Sequence, residues 1–278
     1  MRDDPAFATL SRMERIAFRV MRFLNQGGGR WPARIWQRAV ITPLVGWLLV
    51  YRRLRVYGIE RLDGIPRNAP ILLVTNHRTF FDLFILGWLL IRHPRLGRRV
   101  NFPVRSNFFY ETPMGLVMSA LLTGGSMFPP FFRAPEKKAM NRRSLDILLE
   151  KLRTPGEMVG FHPEGTRNKT DDPYTLLPAQ PGVGELALKA RPVIVPAFIL
   201  GMTNHFWTEV KANRRREPTV IAVFGKPVEL PQIQGDTRLS HHKRFADLLN
   251  ERITALGAEE RALRSAASPP ASPARSAR

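Results

Sequence analysis

From residue 55 onward, the chain alternates short apolar segments with longer amphipathic ones, and this alternation constrains the fold more than any other feature of the sequence. The short segments predict strands, and the longer ones predict helices. The predicted strands are RLRVYGIERL, PILLVTN, VNFPVRSN, EMVGFHPEG, RPVIVPAFI and TVIAVFGKPVEL, with GGSMFPPFF extended. The predicted helices are FFDLFILGWLLIR, TPMGLVMSALL, EKKAMNRRSLDILLEKLR, GVGELALKA and HHKRFADLLNERITAL. Such alternation predicts an α/β fold, a single layered domain with a central mixed sheet flanked by helices.

The residues before this domain predict an N-terminal helical segment at a membrane interface. In LSRMERIAFRVMRFLN, arginines recur at helical spacing while apolar residues fill the opposite side. The arginines are Arg12, Arg15, Arg19 and Arg22. A basic amphipathic helix of this kind is suited to an anionic membrane. The same pattern is also typical of a surface helix that packs on its own domain.

A second N-terminal feature is the uncharged run at residues 39–51. It is shorter than the roughly 20 residues that span a bilayer, and it carries Pro43 and Gly46. We therefore expect it to lie in the interface or to pack as a buried helix. Aromatic residues that favour the headgroup level cluster nearby. They are Trp31, Trp36, Trp47 and Tyr51. Since no secretory signal pattern is present, we expect peripheral or monotopic attachment at the cytoplasmic face of a membrane.

The expected domain plan has three parts. Residues 1–54 form the membrane-associated helices, residues 55–258 form the folded domain, and residues 259–278 form a disordered basic tail, because RSAASPPASPARSAR lacks large apolar residues. The absence of cysteine excludes a disulfide scaffold and thiolate metal sites. The histidines show no HExxH spacing, so no metal site is expected.

The net charge of +20 predicts a polyanionic partner. Anionic lipid, nucleic acid and an acidic carrier protein would all fit, but nothing in the chain resembles a nucleic-acid module, so nucleic acid is not expected. The stretch between Asp82 and Glu111 is rich in arginine and has no acidic residue. It predicts either a solvated basic face or a landing site for lipid headgroups or carrier phosphates. Its arginines are Arg92, Arg95, Arg98, Arg99 and Arg105.

The segment VTNHRTFFDLF places His77 just past a predicted strand and Asp82 in the first turn of the next helix. Open α/β sheets tend to bind ligands at this position. A strand-to-helix turn can fold His77 back over the helix, so that Asp82 accepts from one imidazole nitrogen and leaves the other as a general base. Alternatively, Thr79 and Asp82 form a capping box and His77 is a passive loop residue.

The segment GFHPEGTRN follows another predicted strand. Gly165 permits a ligand to approach the backbone closely, and Arg167 can bind a phosphate through two hydrogen bonds. Glu164 can fix a hydroxyl group or hold Arg167. The alternative is a polar turn with a local Glu–Arg pair.

Taken together, NHRTFFD and the later PEGTR resemble the motifs of the glycerolipid acyltransferases, which include 1-acylglycerol-3-phosphate acyltransferase. The resemblance covers roughly residues 55–235. It implies that His77 is the general base and Asp82 its orienting partner. It also implies an acceptor-binding set that holds the glycerol phosphate. That set comprises Arg133, Glu164, Gly165, Thr166 and Arg167, and Val195–Pro196 matches the family's last block.

The chain departs from the family pattern at three places, one of which is AQPGVGELA, where the family more typically has a lysine-glycine helix entry. Phe132 precedes Arg133 where the family often has a polar residue, and His162 stands where the third block carries an apolar residue.

The resemblance implies transfer of a fatty acyl group from acyl-CoA or acyl carrier protein to the free hydroxyl of a lysolipid, foremost 1-acylglycerol-3-phosphate, without a further cofactor. The alternatives are another lysophospholipid or lyso-aminolipid acceptor, hydrolysis in place of transfer, and a non-catalytic basic protein that binds membranes. The segments LFILGWLLI and MGLVMSALL either line an acyl-chain tunnel or pack in the core.

Overall fold

The computed structural model describes residues 5–96, 99–232 and 235–267. Its α-helices are α1 (Pro5–Ala8), α2 (Arg12–Gln26), α3 (Arg30–Trp36), α4 (Thr42–Leu49), α5 (Asp82–Arg92), α6 (Ser106–Glu111), α7 (Pro113–Thr123), α8 (Lys138–Arg153), α9 (Pro181–Ala190), α10 (Phe206–Arg215) and α11 (Leu239–Ala267). A π-helical turn, Gln37–Ile41, joins α3 to α4, and short 3-10 turns lie at Ile59–Leu62 and Pro135–Lys137. The strands are β1 (Leu54–Tyr57), β2 (Ile71–Thr75), β3 (Arg99–Asn101), β4 (Val104–Arg105), β5 (Pro130–Phe131), β6 (Glu157–Phe161), β7 (Val193–Leu200) and β8 (Val220–Phe224).

A six-stranded mixed sheet in the order β1-β8-β7-β2-β6-β3 forms the centre of the molecule and confirms the predicted α/β fold. Strands β7, β2, β6 and β3 run parallel to one another. The sheet is mixed because β8 runs antiparallel to β7 and parallel to β1. The four parallel strands therefore all end at one edge of the sheet, where α/β folds place their ligand sites.

The sheet is buried on both faces, which explains why its strands are continuously apolar. On β2, Ile71 and Leu73 point into a core shared with α2, α4 and α5. Leu72 and Val74 point into a second core formed with α8, α9 and α11. This arrangement is the predicted layered domain, with helices on each side of the sheet.

The parallel pairing brings the two polar motifs of the sequence to the same edge. Val74 of β2 lies opposite both Phe161 of β6 and Pro196 of β7. The loops that begin after β2 and β6 therefore leave the sheet side by side. The two-residue strands β4 and β5 form a separate small sheet, in which Arg105 lies opposite Phe131.

The amphipathic helix α2 packs its apolar side on its own domain. Ala17, Phe18 and Met21 are buried, and the Phe18 ring contacts Phe7 and Phe128 edge to face. Of the two alternatives that the sequence leaves open for this helix, the structure matches the packed surface helix.

Arg99 was predicted to lie on a solvated basic face or a landing site, and for this residue the prediction is wrong. Its side chain is fully buried and donates to the carbonyls of Leu24 and Gly124, at 2.8 and 2.9 Å. Desolvation lowers the pKa of Arg99 to about 10, and the like charges of Arg34 and Arg30 contribute in the same direction. Arg98 lies outside the described residues.

Several boundaries differ from the predicted ones. VNFPVRSN divides into β3 and β4, and helices α6 and α10 were not predicted. The boundary predicted at residue 258 falls inside α11, which continues to Ala267. Side-chain contacts hold this extension, since Glu259 pairs with Arg61, and Glu260 accepts from Tyr174 at 2.7 Å. Residues 268–278 of the predicted tail lie outside the described residues.

Candidate active site

The loop between β2 and α5 is organised around the buried carboxylate of Asp82. One of its oxygens, Oδ2, accepts from the backbone N–H groups of Arg78 and Thr79, at 2.8 and 2.7 Å. The other, Oδ1, accepts from the Thr79 hydroxyl at 2.5 Å. Half of the predicted capping box thus forms, because the Asp82 carboxylate accepts from Thr79 N–H. The other half does not form, since the Thr79 hydroxyl accepts from Phe81 N–H, at 3.2 Å, and not from Asp82 N–H. These bonds fix the loop against the first turn of α5.

The same carboxylate faces the imidazole of His77, so the structure brings the predicted pair together. His77 Nδ1 lies 3.7 Å from Asp82 Oδ2, which is longer than a hydrogen bond. Nδ1 is buried and has no hydrogen-bond partner among the described residues, while the His77 side chain keeps 20% of its surface exposed. The exposed part of the ring is therefore on the side away from Nδ1. Catalytic hydrogen bonds are often long in an unliganded protein and shorten when substrate binds.

Glu164 ties the PEGTR segment to the backbone of His77. Its buried carboxylate accepts from His77 N–H at 2.8 Å and from Leu177 N–H at 2.9 Å. A second bond, from Asn168 N–H to the His77 carbonyl at 2.8 Å, completes the connection. Burial raises the pKa of Glu164, and the two backbone donors oppose that shift. Glu164 therefore holds the loop between β2 and α5, and it does not pair with Arg167, which was one of its two predicted roles.

Gly165 adopts a left-handed conformation, with φ at 65°. A β-carbon at this position would also come within 3.0 Å of the Gln180 side chain. Glycine is favoured here for both reasons. The turn leaves Arg167 exposed and Thr166 half-buried at the edge of the site.

Three exposed arginines converge near this turn. Arg105 donates to the carbonyl of Gly165 at 3.2 Å. Desolvation lowers the pKa of Arg105, and the positive charges of Arg133 and Arg167 lower it further. Throughout the described ranges, none of the three guanidinium groups forms an ion pair with a carboxylate. Such a cluster is suited to holding a phosphate.

The sequence identified Arg133 and Arg167 but did not assign Arg105 to the site. Arg105 belongs to β4, and Phe131 of β5 lies opposite it. The chain then continues through Phe132 to Arg133, so this small sheet brings the two arginines together. Strands of two residues carry no periodicity that could have revealed the pairing.

Two amides attach the site to β7 and to the loop beyond it. Asn76, next to His77, exchanges two hydrogen bonds with the backbone of Ile199, both at 2.9 Å. Asn204 accepts from Phe80 N–H at 2.8 Å. The Val195–Pro196 block lies inside β7 beside β2, where it forms part of the support for the loop.

His162, one of the departures from the family pattern, contacts His77 directly. The two imidazole rings stack with centroids 3.7 Å apart and planes 6° apart. His162 Nδ1 lies 3.1 Å from the carbonyl oxygen of Thr75. Because a carbonyl only accepts, Nδ1 of His162 carries the proton. Desolvation, with the charge of His77 second, lowers the pKa of His162 well below 6.5.

Comparisons with known proteins identify the family of this chain. Residues 53–200 match the protein family described as Acyltransferase. The glycerol-3-phosphate acyltransferase of Pseudomonas putida (strain GB-1) is 25% identical over an alignment of 199 residues that covers 64% of this chain and 22% of that protein. The chloroplastic 1-acyl-sn-glycerol-3-phosphate acyltransferase BAT2 of Brassica napus is 26% identical over 171 residues, which are 61% of this chain and 41% of that protein. The chain thus spans less than half the length of both relatives.

Among solved structures, the 1-acyl-sn-glycerophosphate acyltransferase PlsC of Thermotoga maritima aligns with 92% of this chain and 99% of its own, at a TM-score of 0.46 and 16% identity. The family match covers residues 53–200 of 278, more than half of the chain, and includes both polar motifs. The protein belongs to the acyltransferase family.

Proposed function

We propose that this protein transfers a fatty acyl group from a thioester donor to the free hydroxyl of a phosphate-bearing lysolipid, with His77 as the general base. The observation that carries the proposal is that one turn joins His77 to a cluster of arginines: Glu164 accepts from His77 N–H, and the adjacent Gly165 carbonyl accepts from Arg105. Arg105 feels the charges of Arg133 and Arg167, and among the described residues none of the three pairs with a carboxylate. A base and a cationic cluster at one sheet edge suit a substrate that carries a hydroxyl and a phosphate a few bonds apart.

In the proposed reaction, the exposed nitrogen of His77, Nε2, removes the proton from the acceptor hydroxyl. The oxygen attacks the thioester carbonyl, and the tetrahedral intermediate collapses with loss of the thiolate. The imidazolium then returns its proton to the thiolate, which leaves as a thiol. Asp82 faces the opposite nitrogen and stabilises the imidazolium while it exists. General-base catalysis of this kind contributes a rate factor of roughly 10² to 10⁴.

Arg105, Arg133 and Arg167 are proposed to hold the phosphate of the acceptor. A phosphate monoester carries about −1.5 to −2 charges near neutrality, and guanidinium groups bind it through paired hydrogen bonds. Holding the phosphate fixes the distance from the hydroxyl to His77, so its main contribution is positional. Gly165 and Thr166 shape the turn, and Glu164 holds it.

The proposed acceptor is 1-acylglycerol-3-phosphate, which would give phosphatidic acid, with acyl-CoA or acyl carrier protein as donor. The name of the Brassica napus relative supports this choice, whereas the name of the Pseudomonas putida relative shares only the glycerol phosphate and gives an acceptor without the acyl chain. A lysophospholipid with a phosphodiester or a lyso-aminolipid would place less charge against the arginine cluster.

We also propose peripheral binding to an anionic membrane through an exposed apolar face on the N-terminal helices and α7. Within the described residues, no helix is both long enough and apolar enough to cross a bilayer. A hydrogen bond from Trp36 Nε1 to the Leu121 carbonyl, at 2.7 Å, joins the two parts of the face. Its exposed side chains are Trp31, Ile35, Trp36, Val40, Leu44, Trp47, Met114, Val117, Met118, Leu121 and Leu122. Apolar residues grouped in this way mark an interaction surface.

The assignment to a membrane rests on the type of residue in this apolar face. Tryptophans favour the headgroup level, and exposed arginines such as Arg38 and Arg52 can contact anionic lipid. The apolar side of α2 is not available for this purpose because it is buried in the domain. Membrane binding also gives the enzyme access to its lipid acceptor.

The experiment that tests the transfer uses purified protein, radiolabelled acyl-CoA or acyl carrier protein, and a panel of lysolipids, beside His77→Ala. We expect transfer to 1-acylglycerol-3-phosphate and a fall in kcat of about 10² to 10⁴ in the variant. Undiminished transfer in His77→Ala would disprove the mechanism. Absence of turnover with every donor and acceptor would favour a non-catalytic membrane-binding protein.

Membrane binding is tested by flotation with anionic liposomes. Trp47→Glu and Met114→Glu should each reduce the bound fraction, because Trp47 and Met114 are 61% and 63% exposed on the apolar face. Leu239→Glu is the matched control, since Leu239 is 68% exposed at the start of α11. If all three variants bind like the wild type, the apolar face is not the attachment surface.

A further inference from the structure

The backbone of His77 is fixed more firmly than its ring. Glu164 and Asn168 hold the His77 peptide groups on both sides, but these bonds leave the imidazole free to rotate about its side-chain bonds. Asp82 lies 3.7 Å from Nδ1, too far to fix the ring by a hydrogen bond. The orientation of the proposed base therefore depends on another contact.

That contact is His162. Its ring lies parallel to the His77 ring, at a centroid distance of 3.7 Å. The His162 ring is held in turn, because Nδ1 donates to the Thr75 carbonyl at 3.1 Å. Thr75 is fully buried at the end of β2, so the stack is anchored to the central sheet.

We infer that His162 is a positioning residue, whose imidazole holds the ring of His77 in the plane that directs Nδ1 to Asp82 and Nε2 to the acceptor hydroxyl. This inference rests on the proposed function, and it adds a residue to which the family pattern assigns no role. His162 is proposed to act through His77 and not on a substrate, because its ring stacks on His77 and its Nδ1 is bonded to the end of β2.

The charge state of the stack supports the same role. When His77 takes the proton of the acceptor, its ring becomes cationic and lies on the face of a neighbouring aromatic ring. A neutral ring stabilises such a cation, whereas a second imidazolium at this distance would repel it. Burial keeps His162 neutral by lowering its pKa well below 6.5. The hydrogen bond to Thr75 selects the tautomer protonated at Nδ1.

Two substitutions separate the stacked ring from the hydrogen bond. His162→Phe keeps an aromatic ring under His77 and removes the bond to Thr75, while His162→Ala removes both. His162→Ala should lower kcat roughly 10- to 100-fold, the cost of a misplaced catalytic group. The KM for the lysolipid should stay within about twofold, because His162 does not contact the phosphate. His162→Phe should keep at least about half of the wild-type kcat by the same positional argument.

His241→Ala is the matched control for the loss of a histidine. His241 lies at the start of α11, and its substitution is expected to leave kcat unchanged. Wild-type kcat in His162→Ala would overturn the inference. So would a loss confined to KM, or a His162→Phe variant that is folded yet as slow as His162→Ala. If His162→Ala does not fold, a folded and inactive His162→Phe overturns the inference by itself.

A second readout does not require turnover and therefore separates this inference from the proposed function. In protein labelled with ¹³C-histidine, the stacked ring shifts the His77 ring resonances through its ring current. The shift should persist in His162→Phe and disappear in His162→Ala. Resonances of His77 that are unchanged in His162→Ala would overturn the inference even if the protein transfers no acyl group.

Discussion

One buried glutamate lies at the start of strand β6 and another lies just beyond its end, but only the first forms ion pairs with the positive charges around it. At its start, Glu157 is surrounded by Arg30, Arg34 and Lys151, whose nitrogens lie 2.9, 3.2 and 3.6 Å from its carboxylate. Beyond its end, Glu164 binds backbone N–H groups, and the arginines nearby have no carboxylate partner within the described ranges.

This difference separates a structural cluster from a candidate binding site. At the start of β6, Arg30, Arg34 and Lys151 all pair with the Glu157 carboxylate, and the two arginines attach α3 to the sheet. At the end of the strand, the cationic side chains face solvent, so they can bind an anion that the protein does not supply. Glu157 and Glu164 lie five and twelve residues after Leu152, so they are close along the chain, and this closeness does not indicate their different roles.

The largest effect expected on stability is that of Glu157→Gln. Removing the carboxylate leaves several buried cations without compensation, which should cost about 3–5 kcal/mol of unfolding free energy. The activity of the molecules that remain folded should be unchanged. Chemical denaturation measures the first quantity, and kcat per folded molecule measures the second.

Glu185→Gln is the control for Glu157→Gln. Glu185 pairs with Arg142 and Lys189 near the surface, so its loss should cost less than about 1 kcal/mol. Equal destabilisation by the two substitutions would show that the Glu157 cluster does not have the structural role described.

At the other end of β6, Asp82→Asn should act on activity more than on stability. The amide keeps an oxygen that can accept from Thr79 but loses the charge that stabilises an imidazolium at His77. We expect kcat to fall by about 10² and the KM of the acceptor to change little. A fall in melting temperature with unchanged kcat would assign Asp82 to the capping role alone.

The smallest effect concerns the pH dependence contributed by Lys151. Desolvation, together with the charges of Arg99 and Arg30 and against the opposing effect of Glu157, lowers its pKa from 10.5 to about 8 in the folded protein. Between pH 8 and 10.5 the unfolded chain therefore binds the proton that the folded protein has lost. Stability must rise with pH across this window.

Lys151→Met should remove that rise and increase the unfolding free energy at pH 7 by about 1–3 kcal/mol, because burial of the charged ammonium opposes folding below pH 8. Denaturation curves of the wild type and the variant at pH 7, 9 and 10.5 measure the difference. Parallel pH profiles for the two proteins would contradict the assigned shift.

The contrast between the ends of β6 also shows what the sequence could reveal. Strands β2, β6 and β7 were predictable because they are buried on both faces and read as apolar runs. His77 and Glu164 were predictable as site residues because each follows such a strand directly. Their positions could be predicted because a loop residue that follows a buried strand in the sequence also lies at the end of that strand in the fold.

Other features depend on contacts between distant segments and could not be read from local patterns. The sequence assigns Arg99 and Arg105 to the same basic stretch, yet Arg99 is buried on the carbonyls of Leu24 and Gly124, and Arg105 joins the candidate site. The side of α2 that suits a membrane equally suits a protein core. In each case the partner, and not the residue type, decides the role.

The central claim is that the three arginines of the candidate site hold the phosphate of the acyl acceptor. The most direct test compares kcat/KM for 1-acylglycerol-3-phosphate and for the corresponding monoacylglycerol, in the wild type, Arg133→Gln and Arg167→Gln. Arg214→Gln, on the exposed side of α10, serves as the control. We predict that kcat/KM for the phosphorylated acceptor falls roughly 10-fold or more in Arg133→Gln and Arg167→Gln, chiefly through a higher KM, and that kcat/KM for monoacylglycerol changes little. Equal losses for both acceptors, or no loss for either, would contradict the claim.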